Sequence, residues 1–167
     1  MAHNRLGKRY ANGRATLGAN HQEASPLFEL DPRLQADTWV LGHFPLCQLL
    51  LSRDANYPWL VLVPRRPGVT EIFQLSPADQ AQLAIETAQV AEGLKGLLKA
   101  DKMNVAALGN VVAQLHVHVI ARFVTDPAWP APVWGKVPAV EYEAARLEQL
   151  KAQLHALWQG TVTWEGA

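Results

Sequence analysis

The spacing of apolar residues changes several times along the chain, and each change predicts an element. Order is expected to begin near Ser25-Pro26. An Asp cap followed by Pro in the first turn, Asp31-Pro32, predicts a short helix to about Asp37. Thr38 to Gly42 is rich in β-branched, aromatic and aliphatic residues, and Leu46 to Ser52 is a nearly unbroken apolar run, so two strands are predicted on either side of Phe44-Pro45. A polar turn, Arg53 to Asn56, leads to a third strand, Trp59 to Val63, closed by Pro64. The short connections predict an antiparallel meander. Ser76-Pro77 then opens a long helix through Leu83, Ala84, Ala88, Ala91, Leu94, Leu97 and Leu98 to about Ala100. Gly93 and Gly96 weaken its last turns unless close packing holds them. Two further strands are read at Asn104 to Leu108 and Leu115 to Phe123. The stretch from Asp126 to Pro138 is Pro- and Trp-rich and is read as an irregular loop. Helical spacing returns from Ala139 to Trp158. These elements predict an α+β fold: about five antiparallel strands, one long helix, a short N-terminal helix and a C-terminal helix.

Composition narrows the class. At 167 residues, 49% hydrophobic and 18% charged, the chain is the size of one domain able to bury a core. Fifteen basic and fifteen acidic residues give no bulk field for a nucleic-acid polymer, while a small anion held by local donors stays compatible. Cys47 is the single cysteine, which excludes an internal disulfide and any Cys-x-x-Cys metal site. No apolar run is long enough for a bilayer, and Met1 to Tyr10 lacks the apolar stretch of a secretory signal, so a cytoplasmic protein with no membrane partner is expected. Residues 1–24 hold Arg5, Lys8, Arg9 and Arg14 against Glu23 and are read as a flexible basic tail, with the folded domain at 25–167.

Chemistry concentrates between Ala107 and Arg122. On a strand, Leu115, Val117 and Val119 share one face, and Gln114, His116, His118 and Ile120 share the other. Neighbours on one face stand about 6.6 Å apart, so two imidazoles there can each present a nitrogen to one phosphate. The same His-x-His pair could also ligate a metal, which needs a third and usually a fourth ligand. His3, His21, His43 and His155 complete the histidines, only His43 falls in the sheet region, and no acid lies close in sequence to the pair. A metal site is therefore ranked second, and no cofactor is called for.

Gln114-Leu115-His116-Val117-His118-Val119-Ile120 resembles the signature of the histidine triad superfamily, three histidines alternating with apolar residues. Gly109-Asn110-Val111-Val112 is similar to the segment that precedes it in the family. Pro58 to Arg65 is similar to the family's apolar strand ending in Pro and a basic residue. The likeness spans about residues 26 to 136, and Asp126 to Pro130 with Val133-Trp134-Gly135 resembles a bacterial subgroup of triad-family hydrolases.

The resemblance implies a nucleoside-phosphate hydrolase or nucleotidyl transferase acting on a dinucleoside polyphosphate or a nucleotide phosphoramidate. His116 would attack the α-phosphate to form a nucleotidyl-histidine, and His118 would help to hold that phosphate. Gln114 stands in the first triad position, where it keeps a neutral polar contact but no charge. Val111 stands where hydrolases often have Ser or Thr, and Asn110 is the amide near the bridging oxygen. Asp54, in the turn between the second and third strands, is the ribose candidate. Asn104 and Arg122 are further substrate-binding candidates, and Trp134, with Trp129, is placed to line the site from the loop. The family pairing through the long helix and an edge strand implies a homodimer. A nucleotide-binding regulator with little turnover stays open as the alternative, on the evidence of Gln114 and Val111.

Overall fold

The computed structural model describes residues 27–166. The basic segment 1–24 lies outside them. A single antiparallel sheet has the spatial order β4-β5-β3-β2-β1-β6. Its strands are β1 (Thr38–His43), β2 (Cys47–Ser52), β3 (Trp59–Pro64), β4 (Lys102–Ala106), β5 (Val117–Arg122) and β6 (Thr163–Trp164). Helices α1 (Pro32–Asp37), α2 (Pro77–Leu98) and α3 (Ala144–Leu157) complete the α+β fold.

The cap signals act as expected. The Asp31 side chain accepts from the Arg33 N–H at 2.8 Å, and Ser76 accepts from the Asp79 N–H at 3.1 Å, each with Pro in the first turn behind it. Helix α2 lies on one face of the sheet. There Leu83, Val90 and Leu94 pack with Leu49, Leu51, Leu60, Leu62, Leu115, Val117, Val119 and Ala121 in the main core. Gly93 earns its place by packing: a Cβ there would come within 3.0 Å of the Trp158 ring, so α2 and α3 approach closely at this point. The other face carries α1 and the loop after β5. Leu34 packs with Leu50, Val61 and Val63, and Tyr57 packs with Ile120, Ala128 and Val133.

Three features depart from the sequence reading. A sixth strand, β6, pairs with β1 through Gly42 and His43; two residues are too few to show a period. Strand β5 starts at Val117, so His116 sits just before it. The C-terminal helix begins at Ala144 rather than Ala139. Residues before it are held instead by the turn between β2 and β3: the Ala55 N–H donates to the Val140 carbonyl at 2.7 Å, and the Val140 N–H donates to Asp54 Oδ1 at 3.2 Å. A competing set of hydrogen bonds thus removes the first turn that periodicity alone predicts.

Candidate active site

Two histidines end up side by side on the face away from α2. His118 lies on β5 opposite Val61 of β3 on one side and Ala106 of the edge strand β4 on the other, which fixes it between two paired strands. His116 and His118 are 5% and 7% exposed, and their ring centroids stand 4.7 Å apart at an interplanar angle of 87°. They open onto a cavity of about 770 Å³.

Each imidazole has its tautomer set by a neighbour. His116 Nδ1 lies 2.6 Å from the Gln114 carbonyl oxygen. A carbonyl only accepts, so Nδ1 carries the proton and the neutral ring keeps its lone pair on Nε2. His118 is set the opposite way. The Trp59 indole N–H donates to His118 Nδ1 at 3.0 Å, which leaves the single proton of the neutral ring on Nε2. Burial pushes the His118 pKa down to about 4. The nearby His116 adds to that fall, and a hydrogen bond to the Leu108 backbone works against it. At neutral pH His118 is therefore an uncharged hydrogen-bonding group. Trp134 packs edge-on against both Trp59 and His118, with centroids 5.6 and 5.3 Å away. The result is one imidazole with an available lone pair beside a second that is neutral and enclosed by indoles.

The turn before β5 is shaped for this. A Cβ at Gly109 would lie 3.0 Å from the Val112 carbonyl oxygen, so a larger residue would crowd the turn, while His116 Cε1 at 4.0 Å would be in ordinary contact.

Of the residues singled out in the sequence, His116, His118, Asn110, Asp54 and Trp134 all line the large cavity. Asp54 does so while its Oδ1 accepts from the Asn56 N–H at 3.0 Å and the Asn56 side-chain amide at 2.7 Å, so it shapes the turn as well as facing the cavity. Val111 is 71% exposed at the rim. Gln114 lines a smaller recess on the other side of His116, and its amide is committed to backbone. Its Nε2–H donates to the Glu29 carbonyl at 2.8 Å, and its Oε1 accepts from the Asp31 N–H at 2.9 Å. That amide ties down the chain entering α1, whose Arg33, Leu34 and Asp37 form one wall of the cavity.

Asn104 and Arg122 are not among the residues that line the cavity. Arg122 is 1% exposed and makes a two-pronged ion pair with Asp126 at 2.7 and 3.0 Å. Two further bonds go to Asn104 Oδ1 at 2.6 Å and the Ala131 carbonyl at 2.9 Å, so each of its three nitrogens has a partner. Burial alone would raise the Asp126 carboxyl. The hydrogen bond from Arg122, the backbone N–H groups of Phe123 and Ala128, and the Arg122 charge outweigh burial and hold it below the ordinary carboxylate range. Trp129 lies over this guanidinium, 5.8 Å from it, rather than at the cavity.

Sequence reasoning missed Trp59. Its register against Ile120 of β5, diagonal to His118, emerges only when β3 is known to neighbour β5. It also missed the α1 wall and the segment at Ala139, Val140 and Glu141 that closes the far side. Among the described residues no three His, Cys, Asp or Glu side chains are grouped as ligands for a metal, and no helix is long and apolar enough to cross a membrane.

Residues 33–125 match the model of the HIT domain. A histidine triad protein from Bradyrhizobium japonicum is 47% identical, with a TM-score of 0.77 over 78% of this chain and 98% of its own. One from Marinobacter aquaeolei is also 47% identical, with a TM-score of 0.79 over 82% of this chain and all of its own. A third, from Sinorhizobium meliloti, is 47% identical with a TM-score of 0.75 over 77% and 96%. No curated protein matches the chain. With the domain match covering more than half of its length and these relatives nearly whole, the chain belongs to the histidine triad family.

Proposed function

We propose that this protein hydrolyses or transfers nucleoside monophosphates, on a dinucleoside polyphosphate or a nucleotide phosphoramidate, through a covalent nucleotidyl-His116. The observation that carries the reading is the 2.6 Å contact between His116 Nδ1 and the Gln114 carbonyl, which leaves the Nε2 lone pair for attack. The cavity beside it, at about 770 Å³, is of the size that encloses a nucleotide. Asp54 faces it for the ribose, Trp134 and Trp59 offer flat apolar surface to a base, and Asn110 stands at the junction where the phosphate would lie. His118 then stands beside the phosphate as a neutral imidazole, not as a cation.

In this scheme Nε2 forms a bond to phosphorus as the bond to the leaving group breaks. Water then cleaves the phosphorus–nitrogen bond and restores His116. His116→Ala should lower kcat by roughly a thousandfold or more while nucleotide binding stays within about 1–2 kcal/mol. Rapid denaturation without acid, followed by mass spectrometry, should find the nucleotidyl mass on the peptide containing His116. An adduct on another residue, or full turnover by His116→Ala, would sink the mechanism.

A second reading, a nucleotide sensor with little turnover, draws on the same electrostatics: neither His118 nor Gln114 brings a positive charge to the phosphate. Measuring binding and steady-state turnover on one preparation separates the two readings. We also infer a homodimer. Strand β4 is a sheet edge, and Val105 on it and Ile85 on α2 are 49% and 59% exposed; sedimentation equilibrium measures the mass directly.

A further inference from the structure

His116 and Asn110 border two spaces. Besides the large cavity they line a recess of about 290 Å³, together with Thr70, Glu71, Gly109 and Gln114. A phosphorus held at this junction has one substituent on each side. The larger space accommodates a nucleoside, so the smaller one receives what leaves.

The two spaces have the same formal charge, one negative each, but only the larger one holds cations. In the large cavity Arg33 and Arg53 balance two of the three acids Asp37, Asp54 and Glu141, and both offer a guanidinium to an anionic ligand. In the small recess Glu71 is the single fixed charge, and no Lys or Arg lines it. Glu71 makes no ion pair among the described residues. Its backbone is fixed, because Gln74 Oε1 accepts from the Thr70 and Glu71 N–H groups at 2.8 and 2.9 Å. A polyphosphate leaving group would bring several negative charges against that carboxylate with no cation to offset them. An amine bearing a further positive charge would meet a carboxylate that caps the Gln74 N–H but that no cation neutralises.

We propose that this recess is the leaving-group subsite and that Glu71 makes it select cationic amines over anionic leaving groups. The inference rests on the nucleotidyl-His116 reading and deepens it. His116 Nε2 attacks phosphorus, the phosphorus–nitrogen bond of the phosphoramidate breaks, and its electron pair leaves on nitrogen. That nitrogen takes up a proton from solvent and departs as the amine, while Glu71 pairs with the cationic far end.

Three adenosine 5′-phosphoramidates of matched length test it, made from 1,4-diaminobutane, butylamine and 4-aminobutanoate. Their leaving groups are cationic, neutral and anionic. Released adenosine monophosphate gives kcat/KM for each. At low salt the cationic substrate should exceed the anionic one by roughly tenfold, a ratio that shrinks as salt screens an exposed charge. Glu71→Gln should bring the ratio toward one, and Glu71→Lys should invert it. Equal kcat/KM across the series, or a ratio unchanged in Glu71→Gln, would overturn the subsite while leaving the nucleotidyl-His116 reading in place. No release from any of the three would also overturn the subsite, while the nucleotidyl-His116 reading is tested separately by the adduct on the His116 peptide with a dinucleoside polyphosphate.

Discussion

Strand β5, with the residue just before it, carries three buried polar side chains, and the two at its ends are opposite in character. At its C-terminal end all three Arg122 nitrogens are committed to Asp126, Asn104 and the Ala131 carbonyl. At its N-terminal end His116 uses one nitrogen on the Gln114 carbonyl and keeps the other facing a cavity. The two groups are similarly hidden from solvent. They differ in what is left over: a fully satisfied group is structure, and a group with one unspent lone pair beside an open space is available for chemistry.

The largest effect that would sharpen this contrast is on stability at the satisfied end. Arg122→Met strands the Asp126 carboxylate, and removing one partner of a buried pair costs about 3–5 kcal/mol. Asp126→Asn combined with Arg122→Met should recover part of that loss, since no uncompensated charge then stays inside. Urea midpoints with the slope checked for constancy give both values. A loss below about 1 kcal/mol for Arg122→Met would break the comparison, because Arg122 would then be free for other use.

The same contrast explains what was legible in the sequence. The helix caps at Asp31 and Ser76, the apolar face of Leu115, Val117 and Val119, and the shared opposite face of His116 and His118 all follow from local chemistry and a period of two. The order β4-β5-β3 does not, and Trp59 meets His118 only because of that order. Arg122 and Asn104 look like anion-binding residues in one dimension. Asp126, four residues after Arg122, is the partner that removes them, and nothing in the spacing distinguishes an internal ion pair from a donor waiting for a phosphate. The first turn of the C-terminal helix fails for a related reason, since Asp54 and Ala55, distant in sequence, take the hydrogen bonds of Val140.

A smaller effect concerns acid at the available end. The unfolded imidazole of His118 titrates near 6.5 and the folded one near 4, so between these values the unfolded chain binds the extra proton. The stabilisation is complete above about pH 6.5 and is lost as pH falls toward 4. By pH 5 about 2 kcal/mol should be gone. Carboxylates titrate in the same range, so the measurement is the difference between wild type and His118→Gln in urea midpoints at pH 7 and pH 5. The variant should lose less stability than wild type. Identical pH slopes would mean that His118 is hydrated, and the enclosure by Trp59 and Trp134 would lose its meaning.

Gln114 tests the contrast most finely, because it sits in the motif but its side chain belongs to the satisfied class. Both ends of its amide hold backbone at Glu29 and Asp31, and its own carbonyl orients His116. Gln114→Ala removes the side-chain ties and leaves that carbonyl in place. Since the freed backbone groups are close to solvent, the cost should be about 1 kcal/mol, felt as a looser α1 wall. KM should therefore rise by about three- to tenfold with kcat changed less than twofold, and backbone amides at 31–35 should exchange faster with deuterium. Gln114→Glu keeps an acceptor for the Asp31 N–H but loses the donor to Glu29, so it should fall between wild type and Gln114→Ala. A fall in kcat with KM and exchange unchanged would instead put the amide on the phosphate in the transition state. Gln114 would then join His116 on the available side, and burial with complete hydrogen bonding would no longer separate structure from chemistry along β5.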